Sequence, residues 1–137
     1  MTTKGLLEEV VSVLTEKLSA TPLNADVQMM LDNYDKWTPR AASADVLLHY
    51  TGSDAVADSK LRERNSFDVM LFARFYNGES GVFGFLQAIR NALDARRIAG
   101  AATPLQWDGT RFYNQKNGVW CYIISYSVTI NLDNVQA

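Results

Sequence analysis

An α+β fold in two layers, with two helices packed on a mostly antiparallel mixed sheet, is expected for this chain. Three observations lead there. Residues 66–97, SFDVMLFARFYNGESGVFGFLQAIRNALDARR, pass from a strand pattern through an Asn-Gly turn directly into a helix pattern. A separate amphipathic helix pattern opens the chain, and a long alternating run, Val119–Ile130, lies near its end. The element order is then α-β-β-β-α-β-β, in which two helices have one sheet to cover.

Length and composition set the frame for these elements. With 137 residues the chain is expected to form one domain able to bury a core without disulfides or metals. Hydrophobic residues make up 47% and charged residues 20%, an ordinary balance for a globular chain. A formal charge of -2 and a sequence pI of about 5.3 argue against a nucleic-acid binder that relies on bulk charge. Cys121 is the one cysteine, so no internal disulfide forms and a reducing cytoplasm is the expected compartment. Glu8 and Glu9 interrupt the first apolar stretch, unlike a signal peptide, and no apolar run approaches the ~20 residues of a membrane span. A soluble intracellular protein is expected.

The first helix is placed at Thr3–Ser19. Leu7, Val10, Val11, Leu14 and Leu18 fall on one face, with Glu8, Glu9, Ser12 and Glu16 opposite. Thr2 or Thr3 is the expected cap, acidic residues early and Lys17 late suit the helix dipole, and Thr21-Pro22 ends the element. Ala25–Leu31 is read as a short strand and Asn33–Ser43 as loop. Asp45–Thr51 is a second strand closed by Gly52-Ser53. Asp54–Arg64 is polar and mixed in charge, which predicts a mobile excursion between strands.

In the central unit, Phe67, Val69, Leu71, Ala73 and Phe75 alternate with Asp68, Met70, Phe72, Arg74 and Tyr76. Both sets are largely apolar, as in a central strand covered on both faces. Asn77-Gly78 makes the turn, with Ser80 or Asn77 available to cap the helix. Val82, Phe85, Leu86, Ile89 and Leu93 form its buried stripe. Burying five such side chains is worth roughly 8–15 kcal/mol before entropy is subtracted, so this helix must dock on the sheet. Leu105–Trp107, Asp108-Gly109 and Thr110–Tyr113 read as a short hairpin, followed by a turn ending in Asn117-Gly118. In the last strand Trp120, Tyr122, Ile124, Tyr126, Val128 and Ile130 share a face. On the other, Cys121 and Ile123 give way to Ser125, Ser127 and Thr129.

No chemical constellation accompanies these elements. His49 is the one histidine and has no partner at ligand or general-base spacing. Cys121 lacks a second histidine to activate it and reads as an inert buried thiol. Asp54 and Asp58 would share a helical face, but no calcium-type carboxylate loop surrounds them, and solvated surface is the better reading. Gly78, Gly81 and Gly84 lack the dinucleotide spacing and the lysine-serine pair of a nucleotide loop. Turn chemistry accounts for Gly78, and Gly84 with Ala88 and Ala95 gives a small-residue flank. No catalytic, cofactor-binding or metal residue is therefore expected.

Residues placed off the core stripes are the candidates for contacts. Phe83 falls on the polar side of its helix with Gln87 and Arg90, none with a structural duty visible in the sequence. Trp37 lies in a loop with Tyr34 and Arg40, either plugging a sheet edge or facing a partner. Lys60, Arg62 and Arg64 cluster in the polar excursion, read as a solvated loop that orders on a partner. Trp37, Arg40, Lys60, Arg62, Arg64, Phe83, Gln87 and Arg90 are thus the candidate subunit or partner interface.

The chain resembles bacteriophage tail terminator proteins, in particular the form of Mu-like phages and prophages. The resemblance is carried by the first helix, DVLLHYTGS at 45–53 and FDVMLFARFYNGESGVFGFLQAIRNALD at 67–94, then PLQWDGTRF at 104–112 and GVWCYIISYSVTI at 118–130. These are packing patterns, in matching order over nearly the whole chain. The resemblance implies an α+β subunit that forms a hexameric ring without catalysis or cofactor. Such a ring caps the completed tail tube, stops its polymerisation and joins the tail to the head. Its partners would be copies of itself, the tail tube protein and a head-side connector protein, first in the host cytoplasm and then in the virion tail. Another phage neck or head-completion protein is the alternative reading. A small-molecule-binding α+β domain is a third, and the chain offers it only His49 and Tyr50 as polar groups for a pocket.

Overall fold

Apolar periodicity and turn chemistry determine where each element begins and ends. The computed structural model describes residues 1–20, 22–40, 43–56 and 61–132. Helix α1 spans Thr3–Leu18, and the Thr2 side chain accepts a hydrogen bond from the Gly5 N–H at 3.0 Å. It buries Leu6, Leu7, Val10, Val13, Leu14 and Leu18. The expected acidic start is absent, because Glu8 and Glu9 lie beyond the first turn, whereas Lys17 does sit in the last. Five strands follow: β1 Ala25–Met29, β2 Ala44–Ala55, β3 Arg62–Ala73, β4 Gln106–Lys116 and β5 Val119–Asn131, with helix α2 at Val82–Leu93 between β3 and β4. The order is α-β-β-β-α-β-β, as expected, with a 3-10 turn at Tyr34–Lys36 added.

The strands form one mixed sheet in the order β1-β2-β3-β5-β4, with β1 parallel to β2 and every other pair antiparallel. Both helices lie on one face. There α1 and α2 bury Val46, Leu48, Phe67, Val69, Leu71, Ile124, Tyr126 and Val128 beneath Leu6, Leu14, Phe85, Ile89 and Leu93. Phe67 and Tyr126 stack across β3 and β5 with ring centroids 5.8 Å apart. Helix-side residues of β3 are therefore fully covered, as its two-sided apolar pattern predicts. No helix among the described residues is long and apolar enough to cross a membrane.

Three local expectations are corrected. Gly52, Ser53, Asp54 and Ala55 continue β2, paired with residues Ser66 back to Glu63 of β3 after a bulge at Thr51. The described ends of the polar excursion are therefore strand, and Asp54 is a strand residue; residues 57–60, Asp58 among them, lie outside the described residues. Polarity is tolerated because β2 leaves the helix cover after Leu48. The start of β3 is held instead by polar contacts: the Thr3 hydroxyl lies 3.1 Å from both Glu63 Oε1 and Asn65 Oδ1. Asp108-Gly109 is a bulge rather than a hairpin turn, since β4 stays paired with β5 on both sides of it. The true hairpin turn is Asn117-Gly118, whose φ values of 54° and 76° suit a two-residue connection that matches strand twist. Finally, neither Ser80 nor Asn77 caps α2. Gly81 occupies that position without a side-chain bond, and the Ser80 hydroxyl donates to the Pro22 carbonyl at 2.7 Å.

Candidate interaction surface

The turn before α2 is pressed against the helix it introduces. A Cβ at Gly81 would lie 2.4 Å from the Asn77 carbonyl oxygen, and one at Gly84 only 2.0 Å from that of Glu79. Gly84 is thus small because the turn's backbone occupies its side-chain space. That approach sets Phe83 edge-to-face against Tyr76, with centroids 5.1 Å apart at 82°. Tyr76 in turn meets Trp120 at 4.8 Å, Trp120 meets Phe112 at 6.5 Å, and Phe112 meets Tyr122 at 5.3 Å. Burial, then the neighbouring Tyr76, raises the Tyr122 hydroxyl pKa.

This run of rings stays largely open. Phe83 is 55% exposed and Phe112 53%. β4 is exposed along nearly its whole length. An uncovered aromatic surface of this kind on a globular fold is a candidate contact site. The β4 edge itself is a poor template for adding another strand, because bulges at Asp108 and Tyr113 break its ladder.

The opposite face of the same sheet end carries a second, smaller core. Leu47, Met70, Phe72, Val119, Cys121 and Ile123 are buried there, with Met30, Tyr34 and Trp37 packed over them. Trp37 stacks on Tyr34 at 6.0 Å and meets the Phe72 ring edge-on at 5.0 Å. Its role as a plug is real, although it plugs a face of the sheet rather than an edge. Burial pushes the Cys121 thiol up to about 12, so it holds no thiolate to act as nucleophile. Between this cap and the β4–β5 hairpin lies a cavity of about 380 Å³, lined by Tyr34, Trp37, Phe72, Arg74, Tyr113 and Lys116 among others. Arg74 reaches the Pro39 carbonyl at 2.9 Å, and the Arg40 N–H donates to buried Asp45 at 2.9 Å. Those bonds fix the loop that carries Trp37.

Arg90 has a structural duty the sequence did not reveal. Its guanidinium pairs with Asp94 and sits 3.7 Å from the centroid of the Trp107 ring. The other Asp94 oxygen accepts from the Tyr126 hydroxyl at 2.6 Å, tying α2 to β5. Burial first, and the Asp94 carboxylate second, raise the Tyr126 pKa. Arg62 and Arg64 lie on the face away from the helices. Arg62 donates to Asn131 at 3.2 Å, while Arg64 donates to Ser127 at 3.0 Å and lies 3.8 Å from Asp108. Arg64 and Arg90 both line an open depression of about 600 Å³ beside Trp107.

The predicted contact residues thus divide. Arg64 and Arg90 line one open depression, Trp37 and Arg40 serve the cavity loop, and Phe83 joins the aromatic surface. Gln87 is exposed and hydrogen-bonded to Asn91 at 2.7 Å, and Lys60 lies outside the described residues. Sequence reasoning missed Tyr76, Phe112, Tyr113, Trp120 and Tyr122 as surface residues. The available signal was Trp107, Phe112 and Tyr113 in a segment otherwise too polar to be covered.

Comparison with curated proteins returns no match for this chain. The family model described as Gp37 protein matches residues 10–136, and the chain therefore belongs to this phage-related family.

Proposed function

We propose that the chain is a structural component of the virion that acts as a tail terminator, a ring that caps the finished tail tube, stops its growth and presents the surface for head joining. The observation that carries this reading is the pair of unlike sticky surfaces at one end of the sheet. An aromatic patch opens on the helix side and an aromatic-lined cavity on the other. A cyclic ring needs such a pair, since each subunit offers one patch to a neighbour's different patch. Membership of a phage-related family supports the setting. Copies of the chain, the tail tube protein and a head-side connector are its partners.

A phage or prophage lacking this chain tests the reading. Tails should overgrow their normal length and remain without heads, and complementation should restore both. Tails of normal length carrying heads would overturn it.

A further inference from the structure

We propose that the cavity at the β4–β5 hairpin receives the Phe83–Tyr76 knob of a second copy of this chain, which makes it the socket of the subunit contact. This rests on the ring reading above and adds which side chains meet. Knob and socket stand back to back, built from nearby residues of β4, β5 and the segment that follows β3. Phe112 and Trp120 belong to the aromatic patch, while Tyr113 and Val119 line the cavity. Likewise Arg74 lines the cavity and Tyr76, two residues on, carries the knob. A surface whose partner lies on its own reverse side joins copies head to tail, never face to face.

The chemistry of the two sides fits. The cavity of about 380 Å³ is at the small end of ligand pockets, sized for one or two side chains. Its aromatic walls, Tyr34, Trp37, Phe72 and Tyr113, offer edges and faces to an incoming ring. Its charged residues are Arg74 and Lys116 against Asp35, a net positive lining, and the knob brings the exposed Glu79, whose backbone lies against Gly84 next to Phe83 in the chain. Phe83, more than half exposed in one copy, then fills the role of a buried anchor in the assembly.

Disulfide trapping tests the pairing. Full-length Phe83→Cys and Tyr113→Cys proteins, each shown folded by circular dichroism, are mixed at high concentration and oxidised. The expected product joins one chain of each kind. A product joining two identical variants, or no product, overturns the proposal. In parallel, Phe83→Ala should weaken self-association of the otherwise unaltered chain by about tenfold or more. Glu79→Lys and Lys116→Glu should each weaken it, and the double variant should recover part of the loss; no recovery counts against the pairing. A wild-type chain that caps tubes but gives no mixed product sinks the socket alone. A mixed product from a chain that leaves tubes uncapped sinks the terminator reading and leaves the socket standing.

Discussion

Phe83 and Phe85 lie two residues apart on α2, and the structure assigns them opposite roles. Phe85 is 0% exposed in the main core, whereas Phe83 is 55% exposed and touches Tyr76 edge-on. Truncating a buried phenylalanine to alanine costs about 3–5 kcal/mol, the sum of lost transfer energy and the cavity left behind. For Phe83 the corresponding loss is roughly half the 1.5–3 kcal/mol of full burial, plus about 0.5–1.5 kcal/mol for the ring pair. Phe83→Ala should therefore cost about 1–3 kcal/mol, less than the buried phenylalanine. For a chain of 137 residues each kcal/mol lowers Tm by about 3–4 °C. Phe85→Ala is then expected to melt about 9–20 °C below wild type and Phe83→Ala about 3–12 °C below it, with Phe85→Ala the lower of the two. Thermal melts by circular dichroism, at dilutions where the chain is monomeric, read both. Equal losses would place Phe83 in the core and refute the division of α2 into a buried face and a contact face.

Further consequences follow from the same geometry. Asp94→Ala removes the acceptor of Tyr126 and the partner of Arg90 together, and should cost about 2–4 kcal/mol in urea denaturation. Arg90→Lys, which keeps the charge but loses the flat guanidinium over Trp107, should cost about 1 kcal/mol. Gly84→Ala should destabilise despite alanine's helix propensity advantage of about 1 kcal/mol, because its Cβ meets the Glu79 carbonyl; a gain in Tm would contradict the close approach. Tyr126 and Cys121 both hold their protons more tightly when folded, so the stability they contribute is full below their ordinary pKa values. For Cys121 it drains away as pH rises from 9.0 to about 12, and for Tyr126 from 10.0 upward. Alkaline melts should show that loss, and Ellman's reagent at neutral pH should leave Cys121 unmodified until the chain unfolds.

The legible parts of the fold are those where one periodicity dominates. The stripe of α1, the stripe of α2 and the alternation of β5 are each set by burial against a single layer, and the structure reproduces most of each: Val11, Leu86, Trp120 and Tyr122 are only partly buried, while Leu6, Val13 and Ala92 are buried as well. Errors arose where pairing overruled local chemistry. Asp108-Gly109 has the composition of a turn, yet β5 is long enough to pair β4 on both sides of it, so a bulge forms. The polar run after Gly52 looks like a loop only if strands must be apolar. Beyond Leu48 no helix lies over β2, and backbone pairing alone defines the element. The candidate surface was half legible. Phe83 stood out by being apolar on a polar helix face, but Trp120 and Tyr122 share a register with core residues such as Ile124. Only the point where helix cover ends separates them, and that depends on how α2 crosses the sheet. Arg90 was misread for the opposite reason, since Asp94, Trp107 and Tyr126 converge on it from three elements.

The most direct measurement adds the purified chain to tail tube protein during polymerisation and records tube lengths and ends by electron microscopy. The account predicts that growth stops and that ring density, six times the 15.3 kDa chain mass, sits at one end of each tube. Tubes that lengthen as they do without the chain, with bare ends, would contradict it.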